Sequence, residues 1–503
     1  MRADFFYIAI YVILNLLLSF SWYTLLFRKK DCLSFTDRLI GTFILSLTQI
    51  IFTEMLLGVV FKRLYAMPLF LLNISISLVV LSLVIIFGKN NNSPASPFDE
   101  GGQRRILKGV TGGFKGILSE FKNKTIQLFN IIKKDVILLC IFIFFSISVC
   151  WIIFTGYLFP SHAWDALWYH LPMVGYILQN GAIQENPTSL LISFINTFPK
   201  NIELCFLWNT IFLKSDIIVD LSQLPFTMAG ILTIYSMCIK LKIKREYAIY
   251  SSFLFFFTPV IILQSTTNYI DIAVSVLFLI AINFLMYDEP RNYNNNKTDV
   301  LNHGWIKFPI LLSGLSAGIL LGSKGSGPIF IAVLTAVIAI QKFLNHIGPF
   351  NAKPLKQSLH IYLIYFITPV FLMGGYWYIK NWILYNNPVY PMDVSFFNIT
   401  LFKGSYEVWI NVWINVWKSE PAFDIINQLV PFFRPFYVWL EREEYYFYDA
   451  RFSGFGPLWF ILFLPSIIFS LIYALKKKKY NFLFVFAIII ITFLIYPRNW
   501  HTR

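Results

Sequence analysis

The stretch SHAWDALWYHLP, from Ser161 to Pro172, follows directly on a long apolar run and gathers groups that could do chemistry. It sets the carboxylate of Asp165 and the imidazoles of His162 and His170 among Trp164, Trp168 and Tyr169. Indole and phenol rings favour the headgroup layer of a membrane, where one end stays apolar and the other wet. A carboxylate at that depth can face both a lipid-borne phosphate and a water-borne hydroxyl. Asp165 reads either as a base within about 3 Å of an attacking hydroxyl or as a solvated helix cap. His162 stands one turn before Asp165 on any helix through the segment. Both imidazoles read as structural or substrate-orienting, because no second histidine pair or Glu-x-x-His spacing points to zinc.

Three further groups have residue types suited to the same surface. Asp271 opens an apolar run in NYIDIA, where the helix dipole favours an acid, and it could share a cleft with Asp165. Lys324 lies in GILLGSKGSGP, a turn without the phosphate-loop spacing; it reads as a snorkelling lysine or as a cation for a lipid phosphate. Lys380 and Asn381 begin KNWILYNNPVYP, whose Asn-Pro and Tyr-Pro steps enforce a turn at the bilayer surface. Arg451, in YDARFSGFGP, and Arg434 are additional cations, and a guanidinium can hold phosphate bidentately.

The elements that must position these groups are membrane helices. Charged residues make up 13% of the 503-residue chain, about half the usual share of a soluble domain, and 57% are hydrophobic. Apolar runs fall near 4–27, 38–61, 67–88, 135–157, 219–239, 246–264, 270–287, 309–322, 326–342, 359–379, 456–475 and 481–496. The expectation is an all-α polytopic membrane protein of about twelve transmembrane helices. The formal charge of +15 is concentrated between runs, at Arg28–Lys30, Lys240–Arg245 and Lys476–Lys479, which marks topology rather than nucleic-acid binding. Counting spans between clusters puts every basic cluster on one face, assigned to the cytoplasm by the positive-inside rule.

That map divides the chain into three leading spans (1–88), a basic cytoplasmic linker (89–134) that is partly disordered or lies on the anionic leaflet, and a module over 135–503. Two long outer loops result, 158–218 and 380–455, each expected to carry interfacial helices. In the first, which sets Asp165, Glu185, Glu203 and Asp216 against few bases, 201–213 is apolar but short. In the second, Trp409, Trp413 and Trp417 form a one-face stripe, an interfacial anchor or a sugar-stacking platform. The five cysteines are scattered and suggest neither disulfide framework nor metal site. The first apolar run reads as an uncleaved helix, and no internal repeat is visible.

In order and side, DALWYHLP, NGAIQENP, FPKNIELCFLWN, NYIDIAVSVLFL, GLSAGILLGSKGSG and KNWILYNNPVYP resemble the GT-C superfamily of membrane glycosyltransferases. The likeness is to the family-39-like branch of protein O-mannosyltransferases and aminoarabinose transferases, and covers roughly residues 135–460. It implies an inverting transferase in the cell inner membrane, working at the outer, periplasmic face on a polyprenyl-phosphate-linked sugar. The acceptor would be a glycan, lipid or protein, and a divalent cation is a possible cofactor. By that likeness Asp165 is the catalytic base and Asp271 a second acid. Lys324, Lys380 and Arg451 would neutralise the leaving phosphate, with His162, His170, Glu203 and Asn381 as further substrate-binding candidates. Two departures stand out: Lys380 occupies a position where arginine is common, and three spans precede the usual first one. The rival readings are a transporter or flippase of lipid-linked sugars, which predicts ionisable groups inside several spans, and an O-antigen polymerase or ligase.

Overall fold

A computed structural model describes residues 2–28, 32–87, 100–186, 193–287, 304–347, 360–396, 399–405, 461, 464–477, 486 and 488. Among them the chain is mostly helical, with one two-stranded hairpin, Val394–Phe396 against Ile399–Phe402. Six helices are long and apolar enough to cross a membrane: Phe6–Phe27, Phe35–Val60, Ala66–Ile86, Val136–Leu158, Val219–Lys240 and His360–Tyr385. Shorter apolar helices run over Asp271–Leu285, Lys307–Leu321, Gly327–Ala339 and Pro465–Lys476. This is the architecture of an all-α membrane protein.

The helices are α1 (Arg2–Phe27), α2 (Phe35–Met55), α3 (Ala66–Phe87), α4 (Glu100–Lys134), α5 (Val136–Leu158), α6 (Leu171–Asn180) and α7 (Asn201–Ile211). They continue as α8 (Leu224–Lys240), α9 (Arg245–Phe256), α10 (Pro259–Gln264), α11 (Asp271–Leu285), α12 (Gly304–Leu321), α13 (Gly327–Ile347), α14 (Thr368–Tyr385) and α15 (Leu464–Lys476). Ser34 caps α2 by accepting from the Asp37 amide at 3.1 Å, and Asp135 caps α5 by accepting from Ile137 and Leu138. Asn386, in the left-handed region at φ 52°, ends α14.

Three expectations change. The apolar run 246–264 is two helices, because Pro259 lacks the amide hydrogen a helix needs and Thr258 before it is extended. The segment 201–213, expected at the interface, is instead a core helix. Nearly all of α7 is buried, since its apolar side chains pack into the same cluster as α2 and α8 and its polar ones find partners within the protein. The segment expected as a linker is, from Glu100 on, the long helix α4.

Polar bonds bind the leading helices to one another inside the apolar bundle. Gln49 on α2 accepts from the Trp22 indole at 2.8 Å and donates to the Asn73 side chain on α3 at 3.0 Å; Asn73 donates to Thr53 at 2.9 Å. Side chains with no water to turn to must find partners in this way. Glu54 on α2 is fully buried, and neither of its carboxylate oxygens has a hydrogen-bond partner.

The bundle has two ends. At one, Asp37 on α2 meets Lys240 of α8, Asn283 of α11 and Tyr287, while Arg38 pairs with Glu120 of α4. We call this the basic end. At the far end the α2–α3 turn bonds to the segment after α6, Leu64 N to Gly181 O at 2.7 Å and Ile183 N to Gly58 O at 3.0 Å. That turn carries Lys62 and Arg63, so basic residues occur at both ends, although these two are not among the clusters counted from the sequence.

Candidate functional site at the far end of the bundle

The far end is built by four segments: 158–186, 193–223, 264–271 and 321–326, with the end of α14 beside them. The first turn of the SHAWDALWYHLP segment is fastened by a residue that sequence reasoning did not single out. Asp220, just before α8, is buried and accepts from Ser161 Oγ at 2.7 Å and from Asn268 Nδ2. Asn268 also donates to Ser161 Oγ at 3.2 Å. Ala163, Ala166 and Tyr269 then form a small buried cluster with Leu171 against it. The residues flanking Asp165 thus pack against the tyrosine two positions before Asp271. The two acid-bearing segments are therefore in contact through their flanking residues.

Asp165 is half-buried and precedes a π-helical turn, Ala166–His170, without capping it. The wide turn places His170 inward and leaves Trp164 and Leu167 exposed, 51% and 55%. His162 is exposed and lies within electrostatic reach of Asp220.

Asp271 is buried at the start of α11 and pairs with Lys324 from the turn between α12 and α13; Gln264 Nε2 lies 3.5 Å from its other oxygen. Lys324 remains about a third exposed. The turn that carries it is fixed from behind, since Tyr378 of α14 donates to Leu321 O at 3.0 Å. The small residues before it serve close packing: a Cβ on Gly318 would stand 2.6 Å from Pro369 O and 2.9 Å from Met373 Cβ. Glycine spacing there lets α12 and α14 approach backbone to backbone, and no phosphate loop is formed.

The other candidates hold the walls of the site. His170 Nδ1 and Glu203 Oε1 are 2.8 Å apart and both side chains are buried, which ties the turn before α6 to α7; among the described residues His170 Nε2 and Glu203 Oε2 have no hydrogen-bond partner. Lys380 pairs with Glu185 and donates to Asn196 O at 3.0 Å; Asn381 is buried and donates to Thr197 O at 2.9 Å. The end of α14 therefore holds Glu185 and the backbone at 196–197. Arg451, Arg434 and the stripe Trp409, Trp413, Trp417 lie outside the described residues.

A second missed residue is Lys200. Its ammonium is buried and donates to Asn196 O at 2.9 Å, Phe198 O at 2.8 Å and Ile195 O at 3.3 Å, and it lies over the Trp377 ring. Burial, with the Lys380 charge nearby, pushes it down to about 7. Asn201 beside it accepts from Trp377 Nε1 at 2.9 Å and donates to Met373 O at 2.9 Å. Lys200 and Lys380 both donate to Asn196 O, so two lysines distant in sequence grip the same loop.

Among the described residues no group of three or more His, Cys, Asp or Glu could hold a metal ion. No family model, no curated protein and no solved structure matches this chain.

Proposed function

We propose that the far end is the catalytic face of an inverting membrane glycosyltransferase that takes its sugar from a polyprenyl-phosphate donor. The observation that carries this reading is the packing of Ala163 and Ala166, on either side of Asp165, against Tyr269, two positions before the Asp271 that pairs with Lys324. Asp165 is the base for the acceptor hydroxyl, whose own pKa lies far above neutral. Lys324 is the cation that takes the phosphate as the sugar leaves, so developing charge meets a fixed opposite charge. Asp271 holds that ammonium in place until the donor arrives. Lys380 and Asn381 shape the loop and Arg451 supplies a second cation. His170 and Glu203 position helices and touch no substrate. Asp165 and Asp271 are the acids a divalent cation would join, and chelation of the active protein decides whether one takes part. On this reading the far end is the outer face of the cell inner membrane, and the acceptor is a glycan, lipid or protein.

The test uses the full chain with polyprenyl-phosphate-linked sugars from membrane extracts, with loss of lipid-linked sugar as the readout. Asp165→Asn should lower turnover at least about 100-fold, the low end for a general base, while Lys324→Ala weakens binding of undecaprenyl phosphate. Wild-type turnover by Asp165→Asn ends the proposal. The flippase reading has one observation in its favour, the buried and unpartnered Glu54. It expects donor to cross vesicle membranes without being consumed.

A further inference from the structure

The segment 115–134, KGILSEFKNKTIQLFNIIKK, closes helix α4 and meets the rest of the protein near its two ends, while 122–130 are exposed throughout. Ile117 and Ile132 are buried, the Phe121 ring lies 5.1 Å from Tyr23 and 5.0 Å from Phe35, and Glu120 pairs with Arg38. One exposed face carries a stripe with a definite composition. Lys115, Leu118, Lys122, Ile126, Phe129 and Lys133 follow one another at steps of three or four residues, and all six are exposed. At 3.6 residues per turn they occupy a sector about 80° wide and about 27 Å long.

A solvated helix face does not present Leu118, Ile126 and Phe129 at 52%, 46% and 50% exposure in one row. A self-complementary dimer face does not place a lysine between successive apolar side chains, where copies would set like charges together. The headgroup layer of an anionic leaflet accepts both: apolar side chains enter the acyl boundary while lysine stems lie along them and raise their ammonium groups to phosphate. Position agrees with composition. One residue after α4, Asp135 caps α5, whose first residues Val136 and Ile137 are exposed at 73% and 66%, as a lipid-facing span requires. Glu120, the acid of this segment, pairs with Arg38 away from the stripe.

We infer that the exposed stripe of α4 is a binding surface for anionic phospholipid headgroups at the basic end of the bundle. It does not depend on the transferase reading, because none of its residues belongs to the far end. Each lysine near an anionic surface contributes on the order of fivefold in binding, so the three in the stripe make the contact strongly dependent on lipid charge and on salt.

The test is hydrogen exchange of the full chain in nanodiscs of phosphatidylcholine alone and of phosphatidylcholine with about a third phosphatidylglycerol. Amides of 122–130 should exchange at least about tenfold more slowly in the anionic discs. The difference should vanish in 0.5 M salt and in the triple variant Lys115→Gln, Lys122→Gln, Lys133→Gln. These side chains are exposed, and unchanged exchange in α2 and α8 verifies that the variant is folded. Equal rates in the two lipids, slow exchange in both, or a difference that survives the triple variant each overturns the inference.

Discussion

Replacing Asp37 by Asn is the sharpest test of how this bundle is held together, because its effect can be measured without any assay of function. Asp37 is 1% exposed and accepts five side-chain hydrogen bonds: from Ser34 at 2.6 Å, Ser236 at 2.7 Å, Lys240 at 3.1 Å, Asn283 at 2.8 Å and Tyr287 at 2.6 Å. The donors come from α2, α8, α11 and the chain just beyond α11. Side-chain bonds inside membrane proteins average about 0.6 kcal/mol each, which puts the set near ~3 kcal/mol. Removing one partner of a buried ion pair costs ~3–5 kcal/mol, since the other charge is left behind. The two routes meet at about 3 kcal/mol.

Asparagine keeps the shape of aspartate but turns an amide N–H toward donors and leaves Lys240 without its anion. Lys240 retains Asn283, whose backbone and side-chain oxygens lie at 2.8 and 2.9 Å, so the loss stays near the lower figure. Unfolding in mixed detergent micelles, followed by tryptophan fluorescence, reads the change, with Trp22 and Trp208 as well-ordered reporters. Adding Lys240→Met to Asp37→Asn should recover part of the loss, giving a coupling of about 1.5 kcal/mol or more. A loss under about 1 kcal/mol, or two substitutions that simply add, refutes the view that this carboxylate joins the helices through charge.

Two more outcomes follow from the far end. Gly318→Leu should abolish the folded monomer peak in size-exclusion chromatography and Gly318→Ala should lower stability by ~1–3 kcal/mol, because the backbone of α14 stands where the Cβ would be. Lys200 binds its proton more weakly in the folded chain than in the unfolded one, so the unfolded state holds the extra proton between about 7 and the ordinary lysine value. Stability should therefore rise across that window, by up to about 1.4 kcal/mol per pH unit, and be flat below it. Lys200→Met should remove the rise; thermal unfolding at pH 6.5, 8 and 9.5 compares the two.

Much of the fold was legible because membrane helices announce themselves by length and apolarity. The runs 4–27, 38–61, 67–88, 135–157 and 219–239 fall close to Phe6–Phe27, Phe35–Val60, Ala66–Ile86, Val136–Leu158 and Val219–Lys240. What failed to show was burial. An apolar stretch too short to span can lie on the interface or enter the core, and its composition is the same in both cases. For α7 the decision rests on partners far away in sequence: Tyr11 on Asn209, Asn15 on Trp208, and Trp377 on Asn201. Proline gave a local signal at 259 that outweighed hydropathy, because one missing amide breaks a helix whatever the surrounding residues prefer.

At the site, sequence reasoning selects charged residues near helix ends but cannot tell a charge that faces substrate from one that fastens a loop. His170 Nδ1 and Glu203 Oε1 bond each other across 33 residues, and Lys380 pairs with Glu185. Asp220 escaped notice because an acid before a membrane span is commonplace, yet it joins Ser161 to Asn268 and so ties the segment before Asp165 to the segment before Asp271. The distinction matters for mechanism. A transferase needs its base free to reach an acceptor and its cation free to meet a phosphate, while the walls around them stay still. Lys324 fits the second need, about a third exposed on a turn fixed from behind by Tyr378. In the resting protein its partner is Asp271, so the incoming phosphate has to compete with that carboxylate. Asp271→Asn should accordingly tighten binding of undecaprenyl phosphate in isolation while slowing transfer. If that substitution weakens phosphate binding instead, Asp271 organises the phosphate site rather than competing for Lys324.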